Sequence, residues 1–269
     1  MKIILFGSNG MLGNYVNKYL SQFYVVSCLD RTIFDIETAE WDKLEDIIHS
    51  ISNNDDVVIN CSGAIPQQKC NIRKYITLNT LFPHKLNEIV KKYDLKFIHI
   101  TTDCVFSGTD GNYDETSKHD AQDIYGITKS LGEDKSICIL RTSIIGEEIH
   151  NKNSLIEWVI SQKNGEIDGY ENILWNGVTC LQLAKIIGEV IHNNNYWYGV
   201  RHIFSPTTVS KYELCCYIND IYELNIIINK EYNHYKNMTI SSIYDIDNFN
   251  IPIIRDQIFE QKNWVNYQS

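Results

Sequence analysis

Short apolar runs alternate with stretches of helical spacing along the first half of the chain. "KIILFG" is an apolar run halted by glycine, and "NGMLGNYVNKYLSQ" then repeats apolar residues at Leu12, Val16 and Leu20, one face of a helix. "FYVVSCLD" predicts a second buried strand, "EWDKLEDIIHSI" a helix and "DVVINCSG" a third strand. "IRKYITLNTLFPHKLNEIVKKY" predicts a long helix interrupted near Pro83, and "KFIHITTD" and "ICILRTS" two further strands, with a helix over "DIYGITKSLGE" between them. Strands and helices alternating in this way predict an α/β fold built on a doubly wound, mostly parallel sheet.

Beyond residue 146 the alternation loosens. "NSLIEWVISQ" and "VTCLQLAKIIGEVIH" have helical spacing, "GVRHIFS" reads as a strand, and "VSKYELCCYINDIY" as a helix with Ser210 as N-cap. The expected organisation is a sheet domain over 1–146 and a smaller C-terminal lobe over 147–269, with some of its segments interleaved with the sheet.

With 269 residues the chain can bury a substantial core, and 43% hydrophobic and 22% charged residues are globular values. The net charge of -10 argues against wrapping nucleic acid or lying on an anionic membrane, so any phosphate must be held locally. Eight cysteines occur without a C-x-x-C pair or a secretory signal, and several sit in apolar runs. A reducing, cytoplasmic setting is expected. No apolar stretch reaches membrane-spanning length.

Chemistry enters at two places. "GSNGMLG" sets Gly7, Gly10 and Gly13 between the first strand and first helix, where a glycine-rich turn brings backbone N–H groups and a helix N-terminus against a dinucleotide pyrophosphate. Asp30, ending the next strand, suits the adenosine ribose of NAD, whereas the adjacent Arg31 suits the 2′-phosphate of NADP. NADPH is the expected cofactor and NADH the alternative. In "DIYGITKSLGE", Tyr125 and Lys129 lie four apart on one helix face, so that an ammonium can lower the pKa of a phenol poised to exchange a proton with a carbonyl or alcohol. Gly126, a poor helix former, is expected to let substrate or cofactor approach the backbone. Thr101 and Thr102 emerge at the C-terminal end of a strand, where a parallel sheet builds its sites.

Together, G-x-x-G-x-x-G, "TTDCVFSG", "YGITKSLGE" and "LRTSIIG" resemble the extended short-chain dehydrogenase/reductases, most closely the dTDP-4-dehydrorhamnose reductase branch. The resemblance is specific to about residue 146 and fades by about 220. It implies a Rossmann domain and a catalytic set of Thr102, Tyr125 and Lys129: Tyr125 gives the proton, Thr102 orients the carbonyl, and Lys129 holds the nicotinamide ribose. It further implies cofactor contacts from Asn9, Met11, Leu12, Asp35, Ile36, Asn60, Cys61, Ser62, Gly63 and Asn79. Substrate contacts are expected from Thr102, Asp103, Cys104 and Val105. Read from the residues themselves and not from the resemblance, Trp175 and Asn176 in "LWNGVT" are candidate sugar or base contacts, Arg201 and Arg255 candidate diphosphate partners, and Arg141 a structural strand-end residue. No metal site is implied, and a homodimer is left open. The implied reaction is reduction of C4 in a nucleoside-diphosphate 4-keto-6-deoxy sugar. Cys104 in place of the branch's tyrosine, "NCSG" in place of N-A-A-Y, and Ile144 in place of an aromatic leave a UDP-linked or 2-acetamido sugar as open as dTDP-4-keto-rhamnose. An idle regulatory subunit like that of methionine adenosyltransferase, and a nucleotide-sugar epimerase, are the alternatives.

Overall fold

The computed structural model describes residues 1–149 and 152–268. The first half runs β1 (Lys2–Phe6), α1 (Met11–Leu20), β2 (Val25–Leu29), α2 (Trp41–Ile51), β3 (Val57–Asn60), α3 (Ile72–Ile76), α4 (Phe82–Lys92), β4 (Lys96–Thr102), α5 (Ile124–Leu131) and β5 (Cys138–Thr142). The second half adds β6 (Ile144–Ile145), α6 (Leu155–Ser161), β7 (Glu166–Tyr170), β8 (Ile173–Trp175), β9 (Val178–Thr179), α7 (Cys180–His192), β10 (Gly199–His202), β11 (Val209–Ser210), α8 (Lys211–Tyr222), β12 (Ile227–Glu231), β13 (Lys236–Asn237) and α9 (Ile254–Gln268).

Six strands form one sheet in the order β10-β5-β4-β3-β1-β2, every pairing parallel. Within β1, Ile3 and Leu5 face a core shared with α1 and α7, while Ile4 and Phe6 face a second core shared with α2 and α4. That period of two with both faces buried is why the strand reads as an unbroken apolar run. Strand order reverses between β1 and β3, and the crevice above their C-terminal ends is where such sheets take ligands. α7 and β10, although beyond residue 146, pack on and within this sheet. A third core gathers Ile156 and Val159 of α6, Leu214 and Ile218 of α8 and Ile254 and Ile258 of α9. Ser210 caps α8 in a reciprocal capping box with Glu213.

The long helix departs from expectation. It is not broken at Pro83; it widens to a π-type turn over Thr77–Leu81 and resumes as α4, with Pro83 in the first turn. Proline has no N–H for the carbonyl of Asn79, so the ladder must shift there. The freed carbonyl faces Gly132, where a Cβ would lie 1.9 Å from it.

Candidate active site

The glycine loop packs backbone against backbone. Gly7 has φ +80°, and a Cβ on it would lie 2.6 Å from the Ser62 nitrogen; one on Gly13 would lie 2.0 Å from the Gly7 oxygen. Gly7 and Gly13 therefore bring the end of β1, the start of α1 and the segment after β3 into contact. α1 begins at Met11 with Gly10 as N-cap and no side-chain cap, so its first N–H groups face the crevice. This cradle fits a dinucleotide pyrophosphate. A cleft of about 1030 Å3 opens above it, bordered by Asn9, Gly10, Met11 and Leu12 on one side and by Cys61, Ser62 and Gly63 on the other.

Thr102, Tyr125 and Lys129 border the same cleft. Thr102 ends β4; its hydroxyl donates to Asp103 Oδ1 (3.1 Å) and accepts from the Cys104 N–H (3.2 Å). Thr101 also borders the cleft, and its buried hydroxyl has no hydrogen-bond partner among the described residues. Tyr125 and Lys129 lie on α5, whose N-cap Asp123 accepts from the Gly126 N–H at 2.9 Å. Lys129 is 6% exposed, its ammonium donates to the Ile100 carbonyl at 3.0 Å, and burial pushes its pKa down to about 8. Tyr125 is half-buried, and desolvation pushes its phenol above the ordinary value, with Thr102 opposing. The shift is upward, against the lowering expected from Lys129, and Tyr125 stays in the protonated form that a proton donor needs.

Asn79 acts from behind the wall. Its amide accepts from Ala64 N–H (2.8 Å) and donates to the Ala64 carbonyl (3.0 Å) and the Thr128 hydroxyl (3.2 Å), clamping the segment after Gly63 to α5. Gly126 serves packing, not ligand approach: a Cβ there would lie 2.2 Å from the Cys104 carbonyl and 2.5 Å from Ala121 Cβ.

Most of the other expected contacts lie away from the cleft walls. Asp30 turns its carboxylate onto the N–H and hydroxyl of Thr32, which holds its pKa low, and Arg31 is exposed, 3.6 Å from Glu37. Asp35 caps the single turn Ile36–Thr38, and Ile36 packs towards Ala64, Tyr75 and Leu78. Cys104 borders the cleft, whereas Asp103 is buried beneath it and Val105 packs with Phe106, Tyr113 and Ile240. Trp175 is buried with the Lys211 ammonium 4.9 Å over its ring. Asn176 spends its amide on the backbone of Ile240. Arg201 lies between Trp197 and Tyr244, and Arg255 pairs with Asp220; neither borders the cleft, so the diphosphate role expected of them is not supported. Arg141 is buried against Glu133, His119 and His202, a structural position. The cation that does border the cleft beside Cys104 and Ser107 is Lys236. It follows "EYNHY", a polar stretch with no periodicity to mark it.

The dTDP-4-dehydrorhamnose reductase of Aggregatibacter actinomycetemcomitans is 28% identical over 236 residues, covering 81% of this chain and 78% of that protein. Among solved structures, a dTDP-4-dehydrorhamnose reductase from Bacillus anthracis in complex with NADP superposes with a TM-score of 0.84 at 19% identity, covering 98% of this chain and 100% of that one. A dTDP-4-dehydrorhamnose reductase from Clostridium acetobutylicum superposes with a TM-score of 0.83 at 20% identity, covering 99% and 100%. Those two likenesses speak to the fold. The sequence itself matches the RmlD substrate binding domain over residues 1–231, so the chain belongs to that family.

Proposed function

We propose that this protein is an NADPH-dependent reductase that converts the C4 keto group of a nucleoside-diphosphate 4-keto-6-deoxy sugar to an alcohol, in deoxysugar biosynthesis of the rhamnose type. The observation that carries the reading is the arrival of Thr102, Tyr125 and Lys129 in one cleft with the glycine cradle. Family membership and the dTDP-4-dehydrorhamnose reductase relative support it. NADPH is preferred over NADH because Arg31 is exposed beside the end of β2 and Asp30 is occupied by Thr32.

When bound, the reduced nicotinamide supplies the hydride that goes to C4. Tyr125 then gives its hydroxyl proton to the oxygen of that carbonyl, which its raised pKa keeps available. Thr102 turns its hydroxyl from Asp103 to the same oxygen and fixes the carbonyl's orientation. Lys129 holds the ribose and, while charged, favours the phenolate left behind. No helix among the described residues is long and apolar enough to cross a membrane.

Tyr125→Phe removes the proton and little else. Loss of reduced-nicotinamide absorbance should depend on a dTDP- or UDP-linked 4-keto-6-deoxyhexose in the wild type and fall by roughly 10²- to 10⁴-fold in the variant, with NADPH affinity retained. Near-normal turnover in Tyr125→Phe would overturn the assignment.

A further inference from the structure

We infer that Lys236 binds the diphosphate of the nucleotide-sugar substrate, an inference that rests on the substrate class proposed above. The lysine lies beyond residue 231, where the family match ends. It borders the cleft beside Cys104, Ser107 and Thr109. It forms no ion pair among the described residues, and Lys129, the other cation of the cleft, is committed to its floor at the Ile100 carbonyl.

The lysine's place is built. Its backbone is held in β13, where the Lys236 N–H donates to the Asn172 carbonyl at 3.1 Å and the Asn237 N–H to the Gly108 carbonyl at 2.7 Å. Gly108 has φ +83°, and a Cβ on it would lie 2.6 Å from Lys236 Cγ and 2.7 Å from Cε. The stem of the lysine therefore runs across a bare backbone, which directs the ammonium along the cleft wall. Burial and the Asp103 carboxylate raise the Cys104 thiol to about 12, and the charge of Lys236 is among the influences that oppose them.

Position distinguishes the two anionic ligands of such a cleft. The glycine cradle follows β1, whereas Gly108 follows β4, two strands away in the sheet and thus roughly 10 Å across it. The cradle suits the cofactor's pyrophosphate, and Lys236 lies on the side of Thr102 and Cys104, where the sugar is reduced. In a chain of net charge -10, a dianionic diphosphate gains most at this cation, since among the described residues the other charged side chains bordering the cleft besides Lys129 are the carboxylates of Asp123 and Glu148.

Calorimetric titration of UMP, UDP and dTDP into wild type, Lys236→Ala and Lys236→Arg tests this without any turnover. Lys236→Ala should bind UDP or dTDP about tenfold more weakly, narrow the preference for UDP over UMP, and leave NADPH affinity within about twofold; Lys236→Arg should restore most of the loss. Equal nucleoside-diphosphate affinity in wild type and Lys236→Ala, no binding of either diphosphate by the wild type, or a loss confined to NADPH would each overturn the inference. Lysine-dependent UDP or dTDP binding in a protein that reduces no 4-keto sugar would sustain it and reject the reductase reading alone.

Discussion

A lysine that is 6% exposed and whose ammonium has one carbonyl partner is costly to keep charged. Lys129 has its folded pKa depressed to about 8 from the 10.5 of a free lysine. Between those values the unfolded chain binds more protons, so stability rises with pH there; below about pH 8 both states are charged and the folded protein carries the full burden. The difference amounts to an effect on the order of 3 kcal/mol. Lys129→Met should therefore be more stable than wild type near neutral pH in the absence of cofactor, and the gap should close as pH rises through about 8 to 10.5. Urea unfolding of both proteins across that range measures the gap, and a gap independent of pH would show that Lys129 titrates alike in the folded and unfolded chain and that burial does not depress its pKa. The same residue explains what sequence spacing could and could not say. Four-residue spacing put Tyr125 and Lys129 on one face, but the direction of the tyrosine shift depends on how much water α5 excludes against β4, which no local pattern encodes.

α5 shows two propensities in conflict. Alanine at position 126 would favour the helix by about 1 kcal/mol over glycine. Its Cβ would also meet the Cys104 carbonyl at 2.2 Å, and that carbonyl belongs to the turn that positions Thr102 and Cys104. Backbone cannot yield as a flexible side chain can, so packing decides the sign. Gly126→Ala should be destabilised by about 1 to 3 kcal/mol in thermal unfolding, and turnover should drop by about 10- to 100-fold because Tyr125 is displaced. A more stable variant with unchanged turnover would mean that α5 stands further from the Cys104 turn. The strands β1 to β5 and their helices were legible because both faces of the sheet are covered, which makes each strand a run and each helix an amphipathic repeat. The small ladders β8 with β11 and β13, and β6 with β9, are two or three residues long and leave no period to read. β13 carries Lys236, so this cation of the cleft is hidden with it, whereas Arg201 and Arg255 stand out in the sequence by charge alone. Trp175 and Asn176 stood out as chemistry in a turn, yet Asn176 holds the backbone of Ile240 and Trp175 is core.

At the scale of the whole molecule, one buried arginine joins the parts that enclose the site. Arg141 on β5 meets Glu133 just past α5, His119 Nε2 at 2.7 Å in the segment that leads into α5, and His202 Nε2 at 2.8 Å on β10, beneath the Phe106 ring. His202 in turn lies 2.7 Å from the Ser241 carbonyl through Nδ1, and Glu115 takes the His202 N–H and the Ser242 hydroxyl. Since the guanidinium can only donate, both histidines must present a bare Nε2 to it and are neutral while the network stands. Burial, then the facing Arg141 charge, lowers both of their pKa values, with Glu133 opposing at each, Asp120 at His119 and Glu115 at His202. A histidine with a depressed folded pKa contributes stability above its unfolded pKa of about 6.5, and that contribution is lost as pH falls through the folded value. Buried Asp103 and Glu147 have raised pKa values and work in the opposite direction on acidification, so the bare acid limb mixes signs. Subtracting His119→Gln from wild type isolates one histidine, because glutamine can still accept from Arg141 through its amide oxygen and does not titrate. The wild type should lose stability relative to His119→Gln as pH falls below about 6.5, while the two remain parallel above it. Parallel denaturation curves down to about pH 5 would mean that His119 is already exposed to solvent and that Arg141 does not tie the segment before α5 to the sheet.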